Sequence, residues 1–118
     1  MLDKKLRSIG FALSGLRTAW LEEFNFRFEI SIGGIAVLLG LLFRITTEEW
    51  LFVCVSVGLV LAAEALNTAL EELCDMLKPM HDPHVKKIKD LAAAGVFLAS
   101  CTAAIIGPCI FIPHLMVL

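Results

Sequence analysis

The sequence predicts an all-α integral membrane protein in which an amino-terminal amphipathic surface helix precedes three transmembrane helices. Hydrophobic residues make up 58% of the 118 positions and the mean hydropathy is +0.84, whereas soluble domains contain roughly 45–50% apolar residues. The charged residues are gathered into a few segments that separate long apolar runs. A chain of this length suits one domain covering 1–118. The composition argues against a soluble enzyme, and no nucleic-acid partner is expected.

Residues 1–25 are predicted to form the surface helix. Apolar residues recur in this segment at steps of three and four, and charged residues fill much of the rest. Such a helix lies in the membrane interface, with Trp20 at the depth of the lipid headgroups. A polar cluster follows at the start of the first apolar run, and it faces either the headgroups or a functional site. This cluster consists of Glu23, Asn25, Arg27 and Glu29.

Three transmembrane helices are predicted to follow, at about 28–46, 50–73 and 88–116. The first apolar run is short for a hydrocarbon core of about 30 Å, so its helix must include residues from both flanks. The longest polar connection, 74–87, contains Pro79 and Pro83, which are expected to interrupt helical structure.

The distribution of Lys and Arg predicts the orientation in the membrane. Of the ten, five precede the first span, one lies at its end beside the first loop, four lie in the second loop or directly after it, and none follows the third span. The positive-inside rule then places the amino terminus and the second loop in the cytoplasm. We therefore expect a multi-pass protein of the bacterial inner (cytoplasmic) membrane, whose second span ends on the side where ATP is available.

The end of the second span carries a stripe of polar side chains. At about 100° per residue, these side chains share one narrow face of the helix. A carboxylate at the bilayer centre costs about 2.5–3.5 kcal/mol, so several acids on one face predict a functional site. The alternative is a solvated helix end, which suits Asp75 near the membrane exit better than it suits Glu64. The stripe consists of Glu64, Asn67, Thr68, Glu71 and Asp75.

The stripe, Glu23 and the neighbouring pair Lys89 and Asp90 are expected to converge at the cytoplasmic surface. Carboxylates beside a lysine suit a magnesium–phosphate site, because Mg²⁺ takes one or two carboxylates together with phosphate oxygens. Glu23 and Glu71 lie near the surface, where they could hold the metal. Glu64 lies about 10 Å deeper and suits a general base for an attacking hydroxyl. A small proton- or cation-coupled transporter would use the same residues and stays open as the alternative.

Residues 64–75 follow the pattern E-x-h-N-[ST]-[AS]-h-E-x-x-h-D, in which h is apolar. Residues 89–96 begin with Lys-Asp, and two further motifs lie in residues 15–20 and 23–27. These four segments resemble the signature, the KD segment and the surface helix of one known family, the small prokaryotic membrane diacylglycerol kinases and undecaprenol kinases. The resemblance covers roughly residues 4–112, with the motifs in order. No GxxxxGK[ST] or GxGxxG motif is present, so a kinase of this sequence would not use a common nucleotide fold.

The resemblance implies an ATP-dependent lipid kinase that works as a homotrimer, with sites between subunits, and moves the γ-phosphate of Mg-ATP to a lipid hydroxyl. Glu64 matches the catalytic base, and Asn67 matches an asparagine that supports the site. Glu23 and Glu71 match the ligands of Mg²⁺. Trp20 and Glu64 are expected beside the lipid substrate. The residues that match nucleotide contacts, or stand near them, are Lys89, Asp90, Asp75, His81, Asp82 and Lys4.

The resemblance leaves two lipid acceptors open. Diacylglycerol would give phosphatidic acid, and undecaprenol would give undecaprenyl phosphate. Residues 25–27 and Pro83 resemble the undecaprenol kinase branch, whereas Glu29 and residues 15–20 look more like the diacylglycerol kinase branch. The balance favours undecaprenol only slightly.

The remaining polar and sulfur-containing residues are predicted to have structural or solvated roles. The four cysteines contain no CxxC pair and are expected to be free thiols. The segment 81–84, with two histidines and an aspartate, is expected to be a solvated loop rather than a transition-metal site. Glu48 and Glu49 are expected to be solvated.

Overall fold

The computed structural model describes residues 1–77 and 82–118, and these residues fold into four helices joined by short connections. Three of the helices are long and apolar enough to cross a membrane. The prediction of an all-α membrane bundle with a separate amino-terminal helix is confirmed. The helices are α1 (Leu2–Glu22), α2 (Phe24–Phe43), α3 (Thr47–Leu77) and α4 (Pro83–Met116).

The ends of the helices follow from local backbone chemistry. Arg44 ends α2 because it adopts a left-handed conformation, with φ 52° and ψ 54°, and its N–H bonds to the carbonyl of Gly40. Pro83 begins α4 rather than interrupting helical structure, because the first position of a helix needs no N–H donor. The Asp82 carboxylate caps α4 by accepting from the N–H of His84 at 2.8 Å. Consequently α3 and α4 both extend further into the 74–87 segment than expected.

The buried core lies near the turn between α2 and α3. Ile45, Val53 and Ile110 are each at most 6% exposed and come from the turn, α3 and α4. Val53 precedes Glu64 by eleven residues, or about 16 Å along α3. The tightest packing is therefore at the opposite end of the bundle from the acidic stripe. The partly buried residues around this core are Ala36, Phe43, Trp50, Val57, Ile106 and Phe111.

Gly40 allows α2 to pack closely against the turn and α3. A Cβ at this position would lie 2.7 Å from Cη2 of Trp50 and 3.0 Å from Cδ1 of Ile45. Gly34, also in α2, has no such neighbour within 4 Å. Alanine substitutions at these two glycines therefore distinguish the effect of close packing from the effect of helix propensity.

Gly40→Ala is expected to lower the Tm of the protein in detergent, whereas Gly34→Ala is expected to keep or raise it. Alanine gains about 1 kcal/mol over glycine within a helix. At Gly40 this gain is outweighed by overpacking against the Trp50 ring, which costs about 1–3 kcal/mol. Thermal unfolding of both variants checks the expectation. A Tm for Gly40→Ala at or above that of the parent would show that the ring moves aside at no cost.

Glu49 joins the α2–α3 turn to the far end of α4. Thr46 and Glu49 form a capping box, in which the Thr46 N–H donates to Glu49 Oε1 at 2.9 Å and the Glu49 N–H donates to Thr46 Oγ1 at 3.1 Å. Nε2 of His114 lies 3.1 Å and 3.2 Å from the two carboxylate oxygens of Glu49. The His114 ring also stacks on Phe43. The expectation that Glu49 is solvated is wrong, because its side chain is only 24% exposed.

Most of the apolar helix surface is left uncovered within one chain. In the most apolar part of α2, α3 and α4, only 17%, 22% and 11% of residues respectively are buried inside the chain. The apolar side chains of α1 are also exposed, including Leu6 and Leu13. These surfaces are available to lipid or to other subunits.

Candidate active site

Glu64 is the deepest member of the acidic stripe on α3. It follows an uncharged apolar run and is 5% exposed, although every neighbouring polar residue of the stripe is more exposed. A buried carboxylate is costly unless its surroundings compensate. Its burial within the chain therefore distinguishes it from a solvated acid at a helix end.

Asn67 and Glu71 continue the stripe one and two turns beyond Glu64. The Asn67 side-chain amide, through Nδ2, donates to Glu71 Oε1 at 2.9 Å. Oδ1 of Asn67 is buried and has no hydrogen-bond partner among the residues that the structure describes. Asn67 thus orients the Glu71 carboxylate while keeping a free acceptor, which is consistent with a residue that supports a site.

The beginning of α2 brings further polar groups to Glu64. The Glu64 carboxylate interacts with the side chain of Asn25 and with the charges of Glu29, Glu71 and Glu23. Sequence reasoning left open whether the polar cluster of α2 faces headgroups or a site, and the structure places Asn25 and Glu29 towards Glu64. The four-residue spacing puts Asn25 and Glu29 on one face of α2, but it does not specify which helix that face meets.

A second group joins α3 to α4 at the end of the stripe that is furthest from the apolar run. Nζ of Lys89 donates to Asp75 Oδ1 at 2.5 Å, and the charge of Glu71 also acts on Lys89. Asp90 pairs with Lys86 one turn away on α4, also at 2.5 Å. Lys89 therefore links the acidic stripe to α4 directly, whereas Asp90 is engaged within its own helix.

The other residues predicted from the sequence occupy different places. Glu64 and the carboxylates that act on it, Glu23, Glu29 and Glu71, form an acidic group. Lys4 is nineteen residues from Glu23, or about 28 Å along α1, so it cannot reach the acidic group of its own chain. Trp20 is in the last turn of α1 and is 45% exposed. Asp82 serves as the cap of α4. His81 lies outside the described residues. Nucleotide or substrate contacts by these residues stay predictions.

An open groove of about 830 Å³ lies between α1 and α3, beside the acidic group. Glu23 and Ala19 line it from the side of α1, and Ala65 and Thr68 line it from α3. A smaller apolar pocket of about 250 Å³ lies between α2, α3 and α4, and Glu29 is among the residues that line it. The acidic group therefore adjoins both a groove between α1 and α3 and an apolar pocket within the bundle.

The carboxylates of the acidic group offer oxygen ligands of the kind that Mg²⁺ takes. Within residues 1–77 and 82–118, no three His, Cys, Asp or Glu side chains form a ready-made metal cage. Mg²⁺ needs fewer protein ligands, because it keeps several waters and takes oxygens from substrate phosphates. The like charges around Glu64 favour a bound cation, and Glu23 and Glu71 fit that role by their charge and oxygen donors.

The profile of the prokaryotic diacylglycerol kinase family matches residues 10–111 of this chain. The chain belongs to this family. It is a lipid kinase and a multi-pass membrane protein, which confirms the resemblance seen in residues 64–75. Membership of this kinase family gives no support to the alternative, a small proton- or cation-coupled transporter.

Individual relatives cover nearly the whole kinase chain. It is 31% identical over 114 residues to the undecaprenol kinase of Bacillus subtilis, covering 97% of this chain and 93% of that protein. It is 32% identical over 112 residues to the diacylglycerol kinase of Synechocystis, covering 94% of this chain but only 64% of the relative. It is 32% identical over 105 residues to the diacylglycerol kinase of Haemophilus influenzae, covering 89% of each.

Proposed function

We propose that this lipid kinase transfers the γ-phosphate of Mg-ATP to the hydroxyl of undecaprenol, giving undecaprenyl phosphate and ADP. The observation that carries the phosphoryl-transfer proposal is the buried Glu64, which lies among other acidic groups on a helix long and apolar enough to span a membrane. Undecaprenol is favoured as the acceptor because the match to the Bacillus subtilis undecaprenol kinase spans almost the full length of both chains. Diacylglycerol is the alternative acceptor, supported by the family profile and the other relatives.

Glu64 acts as the general base in this proposal. Its carboxylate takes the proton of the lipid hydroxyl as the hydroxyl oxygen bonds to the γ-phosphorus. The bond from that phosphorus to the bridging oxygen breaks at the same time, and ADP leaves with the electron pair. The position of Glu64 within the apolar part of α3 suits a base that meets a hydroxyl embedded in the membrane.

The metal and the nucleotide are assigned to the residues nearer the surface. Glu23 and Glu71 would hold Mg²⁺, whose charge offsets the negative charge of the transferring phosphate. Asn67 holds Glu71 in place through the 2.9 Å hydrogen bond. Lys89 supplies a cation for the phosphates, positioned by Asp75. Asp90, Asp82, His81 and Lys4 are the further nucleotide-contact candidates, and Trp20 is the candidate contact for the lipid at headgroup depth.

A homotrimer with composite sites is part of the proposal. Two observations support it: most of the apolar helix surface is uncovered within one chain, and Lys4 lies too far from the acidic group of its own chain to serve it. A neighbouring subunit would bring its own Lys4 towards that group. The amino terminus and the segment between α3 and α4 would face the cytoplasm, where Mg-ATP is available.

Transfer of radiolabel from γ-labelled ATP tests the acceptor directly. Purified protein in mixed micelles would be offered undecaprenol and diacylglycerol, separately and in competition. We expect label in undecaprenyl phosphate. Label confined to phosphatidic acid would identify diacylglycerol as the acceptor instead. No label in either lipid, from a folded protein, would contradict the proposed function.

A further inference from the structure

The corner between α1 and α2 consists of a single residue. Glu23 ends α1 and begins α2 in an extended conformation, with φ −111° and ψ 110°. It is also one of the acidic residues that act on Glu64. Because the hinge and the acidic side chain belong to one residue, any change in the angle between α1 and α2 displaces the Glu23 carboxylate.

Arg27 holds this corner from the side of α2. Its guanidinium, through Nη1, donates to the carbonyl oxygens of Trp20 at 2.7 Å and of Leu21 at 3.1 Å. The Glu23 N–H donates to the Ala19 carbonyl at 2.9 Å. Three of the last four carbonyls of α1, which a helix leaves without partners, are thereby satisfied. The last turn of α1 contains no basic residue, so Arg27 supplies the positive charge that a helix carboxyl end favours.

Few side chains are buried at the corner between α1 and α2. Ala19 is 8% exposed and Phe26 is 2% exposed, and they are the residues of α1 and α2 that are buried near the corner. The rest of the apolar surface of α1 is exposed within the chain. The guanidinium contacts are therefore a principal constraint on how α1 meets α2.

We propose that Arg27 is a positioning residue of the kinase site, which sets the corner so that Glu23 keeps its place among the acidic residues around Glu64 and Trp20 keeps its place in the last turn of α1. This proposal rests on the proposed function, because it assumes that Glu23 serves phosphoryl transfer. Arg27 acts through Glu23 and Trp20 and is not itself a catalytic residue. Loss of its donors would free the last turn of α1 and move Glu23 without removing any group of the reaction.

Arg27→Met and Arg27→Lys in the full-length protein test the proposal. Methionine keeps the apolar stem and removes the donors, whereas lysine keeps a cationic donor. Two readouts are needed: the Mg²⁺ dependence of lipid phosphorylation, and quenching of Trp20 fluorescence by brominated lipids in vesicles. Trp50, which packs against Gly40 at the other end of the bundle, gives a constant background. Arg17→Met, at an exposed position of α1, is the matched control.

Arg27→Met is expected to lower kcat/KM by about 10–100-fold, to raise the Mg²⁺ concentration needed for half-maximal activity, and to alter Trp20 quenching. Arg27→Lys is expected to restore most of both readouts, and Arg17→Met is expected to change neither. Unaltered Trp20 quenching in Arg27→Met would overturn the proposal. Altered quenching with normal activity and Mg²⁺ dependence would also overturn it.

Equal loss of activity in Arg27→Met and Arg27→Lys, with unaltered quenching, would assign Arg27 to direct substrate contact and overturn the positioning role. If the unaltered protein phosphorylates neither lipid, the proposed function has failed. The quenching comparison would still decide whether Arg27 holds the corner, because it needs no turnover. The two failures are therefore distinguishable.

Discussion

Glu64→Gln is expected to reduce lipid phosphorylation by about 10²–10⁴-fold, the range that a general base contributes. Glutamine has nearly the shape of glutamate but cannot accept the proton of the lipid hydroxyl. The substitution also removes a buried negative charge beside Glu29 and Glu71, so the helices are expected to stay folded. Turnover measured with γ-labelled ATP in mixed micelles checks the expectation.

Glu48→Gln is the control for this substitution. Glu48 is exposed in the first turn of α3, sixteen residues or about 24 Å along the helix before Glu64. The Glu48→Gln substitution should leave turnover unchanged, so a loss of turnover seen only in Glu64→Gln can be attributed to the site. Near-normal turnover in Glu64→Gln would contradict the assignment of Glu64 as the base and would point to another acid of the group, such as Glu29.

Glu71→Gln is expected to raise the Mg²⁺ concentration needed for half-maximal activity by about tenfold or more. Glutamine can still accept the hydrogen bond from Asn67 through its side-chain oxygen, so the geometry of the stripe is kept and only the charge is lost. The activity would be titrated with Mg²⁺ at fixed ATP, with Glu48→Gln again as the control. An unchanged Mg²⁺ dependence would mean that Glu71 does not hold the metal.

Periodicity and composition were sufficient to predict the helical membrane architecture. Long uncharged runs cross the bilayer whatever their neighbours are, so the three spans could be predicted without knowing how they pack. The face shared by Glu64 and Glu71 was equally predictable, because it depends only on the helical repeat. The extension of α4 to Pro83 was less accessible, since proline at a first helical position and proline in a loop look alike in one sequence.

Contacts between separate helices were the part that the sequence could not predict. The position of Asn25 and Glu29 beside Glu64 depends on the rotation of α2 against α3, which no local pattern specifies. The same applies to Glu49, whose partner His114 is 65 positions away. The role of Arg27 could not be predicted for a related reason. Its acceptors are backbone carbonyls, which every residue carries whatever its side chain is.

The link between Glu49 and His114 has a consequence for the order in which the protein is assembled during synthesis. The hairpin of α2 and α3, with the Thr46–Glu49 capping box, can form as soon as those helices have entered the bilayer. His114 lies in the last turn of α4, so it leaves the ribosome only after α2, α3 and most of α4 have been synthesised. A nascent chain therefore carries a half-buried carboxylate without its partner until α4 is nearly complete. The contact between Glu49 and His114 therefore forms only when α4 has packed against the other helices.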